Sequence, residues 1–104
     1  MRHNLTFYAD VRQHRIVDGL RGPVALARAY RIDRVSFVKA FRVARERLAR
    51  EVRRDSLVPC RADHPNVVWA GVVRLSGPKV GRRLETETRI RTYHFRPAFR
   101  RHTQ

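Results

Sequence analysis

Residues 23–54, PVALARAYRIDRVSFVKAFRVARERLAREVRR, are the stretch on which the expected fold depends. The pattern predicts a short helix over 24–30, a polar turn and a long helix over 33–54. Asp33 is the predicted N-cap of the long helix, because its carboxylate can accept from free N–H groups in the first turn. Apolar residues recur in the long helix at intervals of four and three, and this predicts one buried stripe: Phe37, Phe41, Ala44, Leu48 and Val52.

The opposite side of this helix is cationic and partly made of small residues. At about 100° per residue, that side collects Val35, Ser36, Lys39, Arg42, Val43, Glu46, Arg50 and Arg53. A helix with one buried stripe and a basic outer side is suited to the major groove of DNA.

Residues 26–41, LARAYRIDRVSFVKAF, resemble the helix-turn-helix of phage and bacterial DNA-binding proteins. The resemblance is carried by a small residue in the first helix, an apolar residue after the turn and two apolar anchors in the second helix: Ala27, Ile32, Phe37 and Phe41. It implies that the first turns of the second helix contact base edges, through Arg34, Val35, Ser36, Lys39, Arg42 and Val43.

The N-terminal part is expected to supply one more helix. Residues 5–8 favour a short edge strand, and the spacing of Asp10 and Gln13 is that of a capping box. This spacing predicts a helix over 10–20, ended by the glycines and proline that follow it. An earlier helix start, near Asn4, is the alternative.

The C-terminal part changes to a strand-like period. Residues 67–75 and 86–96 alternate apolar and polar side chains and predict two strands joined by a Gly/Pro-rich tip. Two strands with a basic tip after a recognition helix resemble the wing of winged helix proteins. The resemblance implies phosphate or minor-groove contacts from Lys79, Arg82 and Arg83.

The expected fold class is therefore α+β, with a three-helix helix-turn-helix core followed by a C-terminal β-hairpin wing. A chain of 104 residues most simply forms one domain, here a winged helix-like DNA-binding domain over 1–104. Flexible ends are expected at about 1–3 and 100–104.

Charge is the strongest compositional signal. The chain has 24 Lys and Arg against 9 Asp and Glu, a net charge of +15, which favours a polyanionic partner. Double-stranded DNA is the expected partner, with no membrane and no small-molecule substrate. No apolar run reaches the length of a membrane span, and Cys60 is the single cysteine, so a cytoplasmic, nucleoid-associated protein without a disulfide is expected.

Metal binding and catalysis have little support in the sequence. Cys60 and His64 have a ligand-like spacing, which His94 or His102 could extend, but no second ligand pair is visible, so no metal and no cofactor are expected. Glu85 and Glu87, which lie near Arg83, Arg89 and Arg91 in the sequence, are interpreted as cross-strand salt-bridge partners, and the chain is not expected to be an enzyme. Three strand aromatics are expected in the core, with stacking on unpaired bases as the alternative: Trp69, Tyr93 and Phe95.

The predicted function is sequence-specific binding of duplex DNA, as a small transcriptional regulator or a phage or plasmid control protein. A homodimer that reads a palindromic site is compatible with this function. One alternative is an RNA-binding protein or a small ribonuclease toxin of RelE-like layout, with RNA facing Arg89, Arg91, Tyr93, His94 and Arg96 and with His94 transferring a proton. Another is a phage-encoded inhibitor that binds an acidic host protein.

Overall fold

The computed structural model describes residues 5–80, 83–84 and 87–98. This part of the chain contains six strands and one helix. The elements are β1 (Leu5–Val17), β2 (Leu20–Asp33), α1 (Phe37–Arg53), β3 (Leu57–Cys60), β4 (Trp69–Val80), β5 (Arg83–Leu84) and β6 (Thr88–Pro97). The flexible ends expected at about 1–3 and 100–104 lie outside the described residues.

All the strands belong to one antiparallel sheet with the order β2-β1-β4-β6-β3, and β5 pairs with the end of β4. β1 lies between β2, its neighbour in the chain, and β4, which follows the helix. Leu5 lies opposite Val80 and Arg15 lies opposite Trp69, so β1 and β4 pair along nearly their whole length. The helix α1 packs on one face of this sheet.

The core lies between α1 and the sheet. Every second residue of β1 from Phe7 to Gln13 is buried, as expected for a strand with one covered face. The helix contributes Phe37, Ala40, Phe41, Ala44, Leu48 and Val52, and the predicted apolar stripe is thus confirmed. Gly71 in β4 permits a close approach of the helix, because a Cβ atom there would lie 2.4 Å from Cδ2 of Leu48.

The expected three-helix core and the helix-turn-helix are wrong. The described residues form a sheet with a single helix, and both segments predicted as the first two helices are strands. Residues 10–20 belong mostly to β1, and residues 24–30 lie inside β2. Of the segment that resembles a helix-turn-helix, residues 26–33 belong to β2 and residues 37–41 to α1, and the winged helix class is wrong for the same reason.

A tight turn at Asp18 and Gly19 explains why the chain forms a hairpin here. Both residues have positive φ angles, 53° and 75°, and Val17 lies opposite Leu20 across the turn. Two central residues with positive φ are the requirement of a type I′ turn, for which Asp-Gly is a preferred pair. The turn returns the chain antiparallel to β1, and this excludes a helix that continues to Leu20.

The helix α1 begins later than predicted. Its N-cap is Ser36, whose hydroxyl accepts a hydrogen bond from the backbone N–H of Lys39 at 3.2 Å. Asp33, the predicted cap, is the last residue of β2 and accepts from the Thr6 hydroxyl at 3.0 Å. No helix in the described part of the chain is long and apolar enough to cross a membrane.

The two C-terminal strands were predicted correctly as strands, but they do not form a wing. β4 and β6 pair with each other from Trp69–Phe95 to Ser76–Thr88, and both also pair with other strands. They are the middle of the sheet. Phe95 is buried, and Trp69 and Tyr93 are half-buried against the core, which confirms the expected packing of these aromatic side chains.

A buried polar contact connects the C-terminal half of α1 with the sheet. Gln13 is 2% exposed, and its amide oxygen accepts from the indole N–H of Trp69 at 2.8 Å. The same amide donates to Glu51 on α1 at 3.3 Å, and the other carboxylate oxygen of Glu51 lies 3.3 Å from Nε of Arg28 in β2. The buried amide therefore has partners for both its oxygen and its nitrogen, as a buried polar group requires.

Candidate nucleic-acid interface

The outer side of α1 is basic because the apolar stripe turns its other residues toward solvent. Five exposed cations occupy this side: Lys39, Arg42, Arg45, Arg50 and Arg53. Arg47 is also exposed, but its guanidinium lies 3.9 Å above the ring of Tyr30 in the edge strand β2. Partial burial raises the pKa of Tyr30; the Arg47 guanidinium opposes this rise and the Glu51 carboxylate adds to it.

β6 presents a second row of functional side chains on the helix side of the sheet. Arg89, Arg91 and Tyr93 lie opposite Leu75, Val73 and Gly71 of β4, so they share the face that α1 covers. The guanidinium of Arg89 lies 4.3 Å from the ring centroid of Phe37, and that of Arg91 lies 4.5 Å from that of Phe41. The helix thus positions these arginines through its own buried rings.

These two rows meet in a depression that we call the α1–β6 groove. It has a volume of about 190 Å³ and is lined by Val38, Phe41, Arg42, Arg45, Arg91 and Tyr93. A neighbouring depression of about 320 Å³ shares Arg45 and Tyr93 and extends to Pro59 in β3 and to Ala62 beyond the end of β3. Since β3 pairs only with His94–Pro97 of β6, the groove follows a stretch of β6 without a described strand on that side.

The electrostatics of the groove favour an anion. Arg42, Arg45 and Arg91 have no carboxylate within 4.0 Å among the side chains that the structure describes. Some arginines elsewhere have an acidic partner, for example Arg12, whose Nε lies 3.3 Å from Asp10 on the sheet face opposite the helix. Three guanidinium groups without acidic partners around one depression attract phosphate or carboxylate groups, and arginine can bind such groups with two parallel hydrogen bonds.

The residues predicted for base recognition differ in their surroundings. Arg34 and Val35 are exposed in the connection before the helix, Ser36 is the helix cap, and Val43 is partly buried against the core. Lys39 and Arg42 are exposed on the outer side of α1, and Arg42 belongs to the groove.

The predicted wing contacts lie at one end of the sheet. Lys79 pairs with Thr6 on one side and with Leu84 on the other, and Arg83 lies in the short strand β5. Arg82 lies outside the described residues. Lys79 and Arg83 thus belong to the sheet itself, close to the N-terminal end of β1.

The residue set of the RNA-directed alternative is divided by the sheet. Arg89, Arg91 and Tyr93 face the helix side, whereas His94 and Arg96 alternate to the opposite face. The layout expected for a RelE-like toxin also differs, because it has two helices before the basic strands and the described chain has one.

The sequence did not predict that Arg45 lines the same depression as Arg91 and Tyr93. The alternation of Arg89, Arg91 and Tyr93 at every second residue was a signal that they share a face. The pairing of that face with α1 depends on the strand order, which local sequence does not contain.

The described residues considered for metal binding do not come together as a set of ligands. Cys60 lies opposite His94 across two strands, and His64 accepts from the backbone N–H of Asn66 at 3.0 Å within its own turn. Among the described residues no group of three potential ligands comes together. Burial raises the pKa of the Cys60 thiol, and Arg96 lowers it by less, so the thiol form is favoured.

Of the two glutamates considered as paired carboxylates, Glu85 and Glu87, the structure describes only Glu87. Glu87 accepts from Nε of Arg89 at 2.7 Å, so it forms a salt bridge, but with a neighbour along the chain and not across the strands as predicted. Glu85 lies outside the described residues.

Comparison of the chain with protein-family models, with curated proteins and with solved structures found no match.

Proposed function

We propose that this protein binds nucleic acid and that the sugar–phosphate backbone occupies the α1–β6 groove. The observation that carries the proposal is the convergence of Arg42, Arg45 and Arg91 on one depression without a described acidic partner. A net charge of +15 adds long-range attraction for any polyanion.

The groove arginines would bind by charge-assisted hydrogen bonds to phosphate oxygens. Each neutralised phosphate releases condensed counterions, so the affinity falls as salt rises. The apolar floor of the groove, formed by Phe41 and Val38, gives the backbone no competing polar group. Contacts of this kind position a nucleic acid and do not by themselves select a sequence.

Several expectations remain predictions under this proposal. They are duplex DNA as the partner, a regulatory role, a homodimer and a cytoplasmic, nucleoid-associated location. Base recognition by a helix-turn-helix is no longer a basis for any of them. No reaction is assigned to the groove, and the expectation that the chain is not an enzyme is kept.

Fluorescence anisotropy with labelled oligonucleotides tests the proposal. The groove variant Arg42→Gln/Arg45→Gln/Arg91→Gln removes three charges that face the groove. The control variant Arg12→Gln/Arg31→Gln/Arg74→Gln removes three exposed charges from the opposite face of the sheet. Both variants and the unmodified protein are titrated with duplex DNA, single-stranded DNA and single-stranded RNA at several salt concentrations between 50 and 200 mM.

We expect the groove variant to bind at least about tenfold more weakly at low salt, and the control variant to stay within about threefold. The slope of log affinity against log salt should decrease by about 2 for a single strand and by about 3 for a duplex if three phosphates are lost. Equal losses in the two variants would reject the groove. Circular dichroism of both variants checks that the fold is kept, and Arg42→Gln/Arg45→Gln, on the exposed side of α1, tests the groove without changing Arg91.

Retention on an acidic protein after nuclease treatment would favour the inhibitor alternative. In that case the purified protein should show no salt-dependent affinity for any of the three oligonucleotides.

A further inference from the structure

Two arginines of β6 lie over aromatic rings of α1. The guanidinium carbon of Arg89 lies 4.3 Å from the centroid of Phe37, and that of Arg91 lies 4.5 Å from the centroid of Phe41. The two rings are 6.4 Å apart and inclined by 30°. Each guanidinium group lies over a ring that α1 buries, and both arginine side chains remain exposed to solvent.

A planar guanidinium held in this way is a stacking surface for a nucleobase. Bases of unpaired nucleic acids stack on aromatic side chains and on guanidinium planes. Because the ring already orders the arginine, less side-chain freedom is lost when a base binds. Tyr93, two residues further along the same face, continues the row with a half-buried aromatic ring.

The two arginines differ in their charge environment, and this separates stacking from phosphate binding. Nε of Arg89 lies 2.7 Å from the Glu87 carboxylate, which neutralises its charge and repels a phosphate. Arg89 is therefore a poor phosphate ligand, but its plane stays available. Arg42 and Arg45, on the helix side of the groove, are suited to the backbone, and Arg91 can donate to a phosphate through its N–H groups while its plane carries a base.

We propose that Arg89, Arg91 and Tyr93 form a base-stacking row that takes three successive nucleotides of a single-stranded nucleic acid. This inference rests on the proposed function, nucleic-acid binding, and names a single strand as the ligand in place of the duplex DNA expected from the sequence. RNA and single-stranded DNA share the chemistry that the row recognises, namely unpaired bases on a flexible phosphate backbone.

Spacing is the reason for a single strand. Stacked bases of a duplex follow one another at about 3.4 Å. Side chains on one face of a strand recur at about 6.6 Å, and the rings beneath the two arginines are 6.4 Å apart. Neighbouring bases on this row must therefore leave their own stack and lie side by side, which a paired duplex allows only after opening at a cost in free energy.

The first test uses the unmodified protein and a change in the ligand. A short single-stranded oligonucleotide is compared with one that has the same phosphates but three consecutive abasic positions. We expect the abasic ligand to bind at least about tenfold more weakly, because one stacked base contributes about 5- to 150-fold to affinity. The salt dependence should be the same for both ligands, since the number of phosphates is unchanged.

The second test keeps the positive charge of each side chain and removes its planar guanidinium group. In Arg89→Lys/Arg91→Lys each guanidinium becomes an ammonium group, which binds phosphate but does not offer a stacking plane. We expect about tenfold or greater loss for the base-containing strand and less than about twofold change for the abasic strand. The matched control Arg42→Lys/Arg45→Lys should change both ligands equally and by less than about threefold. A 2-aminopurine base in the strand should report stacking with the unmodified protein and lose that signal with Arg89→Lys/Arg91→Lys.

Single-stranded RNA and DNA are run as separate arms, with duplex DNA as the third ligand. Equal affinity for base-containing and abasic strands would overturn the stacking row while leaving the phosphate groove intact. Preference for duplex DNA, with the same dependence on the arginine planes, would also overturn it. Absence of binding to all three ligands at low salt would reject the proposed function and this inference together. If Arg89→Lys/Arg91→Lys loses its fold by circular dichroism, the abasic comparison on the unmodified protein decides.

Discussion

Gln13 is the residue at which the sheet and the helix share a polar contact inside the core. Its amide joins Trp69 of β4 to Glu51 of α1, and Glu51 in turn meets Arg28 of β2. Three strands and the helix therefore depend on one side chain that is 2% exposed. A buried polar group in this position specifies the register between elements more sharply than an apolar one, because its partners are directional.

Replacement of Gln13 by leucine should destabilise the fold. The change leaves the Trp69 N–H without its acceptor and Glu51 without one of its two described partners, so we expect a loss of about 1–3 kcal/mol in the free energy of unfolding. Chemical denaturation measured by Trp69 fluorescence gives this value. Arg12→Leu, at the neighbouring exposed position of the same strand, is the control and should change stability by less than about 0.5 kcal/mol. A loss as small as that of the control would show that the amide contacts contribute nothing measurable.

The β1–β2 hairpin is the element that separates the structure from the sequence-based expectation. The Asp18–Gly19 pair, flanked by Val17 and Leu20, is a strong hairpin signal that the capping-box interpretation of Asp10 and Gln13 overrode. The spacing of those two residues suits a strand equally well. In the structure this spacing of three residues places Gln13 on the buried face of β1 and Asp10 on the opposite face.

β2 could not be recognised from its composition. It is an edge strand with most side chains exposed, so it lacks the apolar alternation that identifies a strand. Its alanines, at positions 25, 27 and 29, favour a helix in isolation. Pairing with β1 overrides this preference, and only the long-range partner determines the outcome.

The helix α1 was predictable because its signal is local. Its stripe of aromatic and aliphatic residues has the helical period, and all the predicted stripe positions are buried. The basic outer side followed from the same geometry. The position of β6 beside α1 could not be predicted in the same way, because it depends on the strand order of the sheet. Local sequence patterns therefore do not predict the groove.

Gly19 tests the turn that decides the hairpin. Gly19→Ala should cost about 1–2 kcal/mol, since its φ of 75° is unfavourable for a residue with a Cβ atom. No heavy atom lies within 4 Å of a Cβ built there, so the loss would come from backbone conformation and not from a clash. Thermal unfolding measures the effect, with Asp18→Asn as a control that tolerates the same turn. An unchanged midpoint in Gly19→Ala would contradict the turn as described.

Across the whole molecule, the charge of +15 opposes compaction and favours association with a polyanion. Salt should therefore act in opposite directions on the two properties. Raising the salt from about 50 to 200 mM should increase the thermal midpoint, because it screens self-repulsion, and should weaken nucleic-acid binding. Thermal scans and anisotropy titrations in the same buffers measure both. A midpoint that falls with salt would indicate that attractive ion pairs outweigh the repulsion.

The strand order also has a consequence for the way the chain acquires its fold. β1 has one neighbour that follows it directly and another, β4, whose paired residues lie from Trp69 to Val80. During synthesis the hairpin can close early, but the side of β1 that pairs with β4 stays open until residues 69–80 have been made. Such distant pairing slows folding compared with helical proteins of this size. A nascent chain that stops before residue 69 would expose Phe7 and Val11 on an incomplete sheet. We expect chaperones to bind such a chain, because they bind exposed apolar surface.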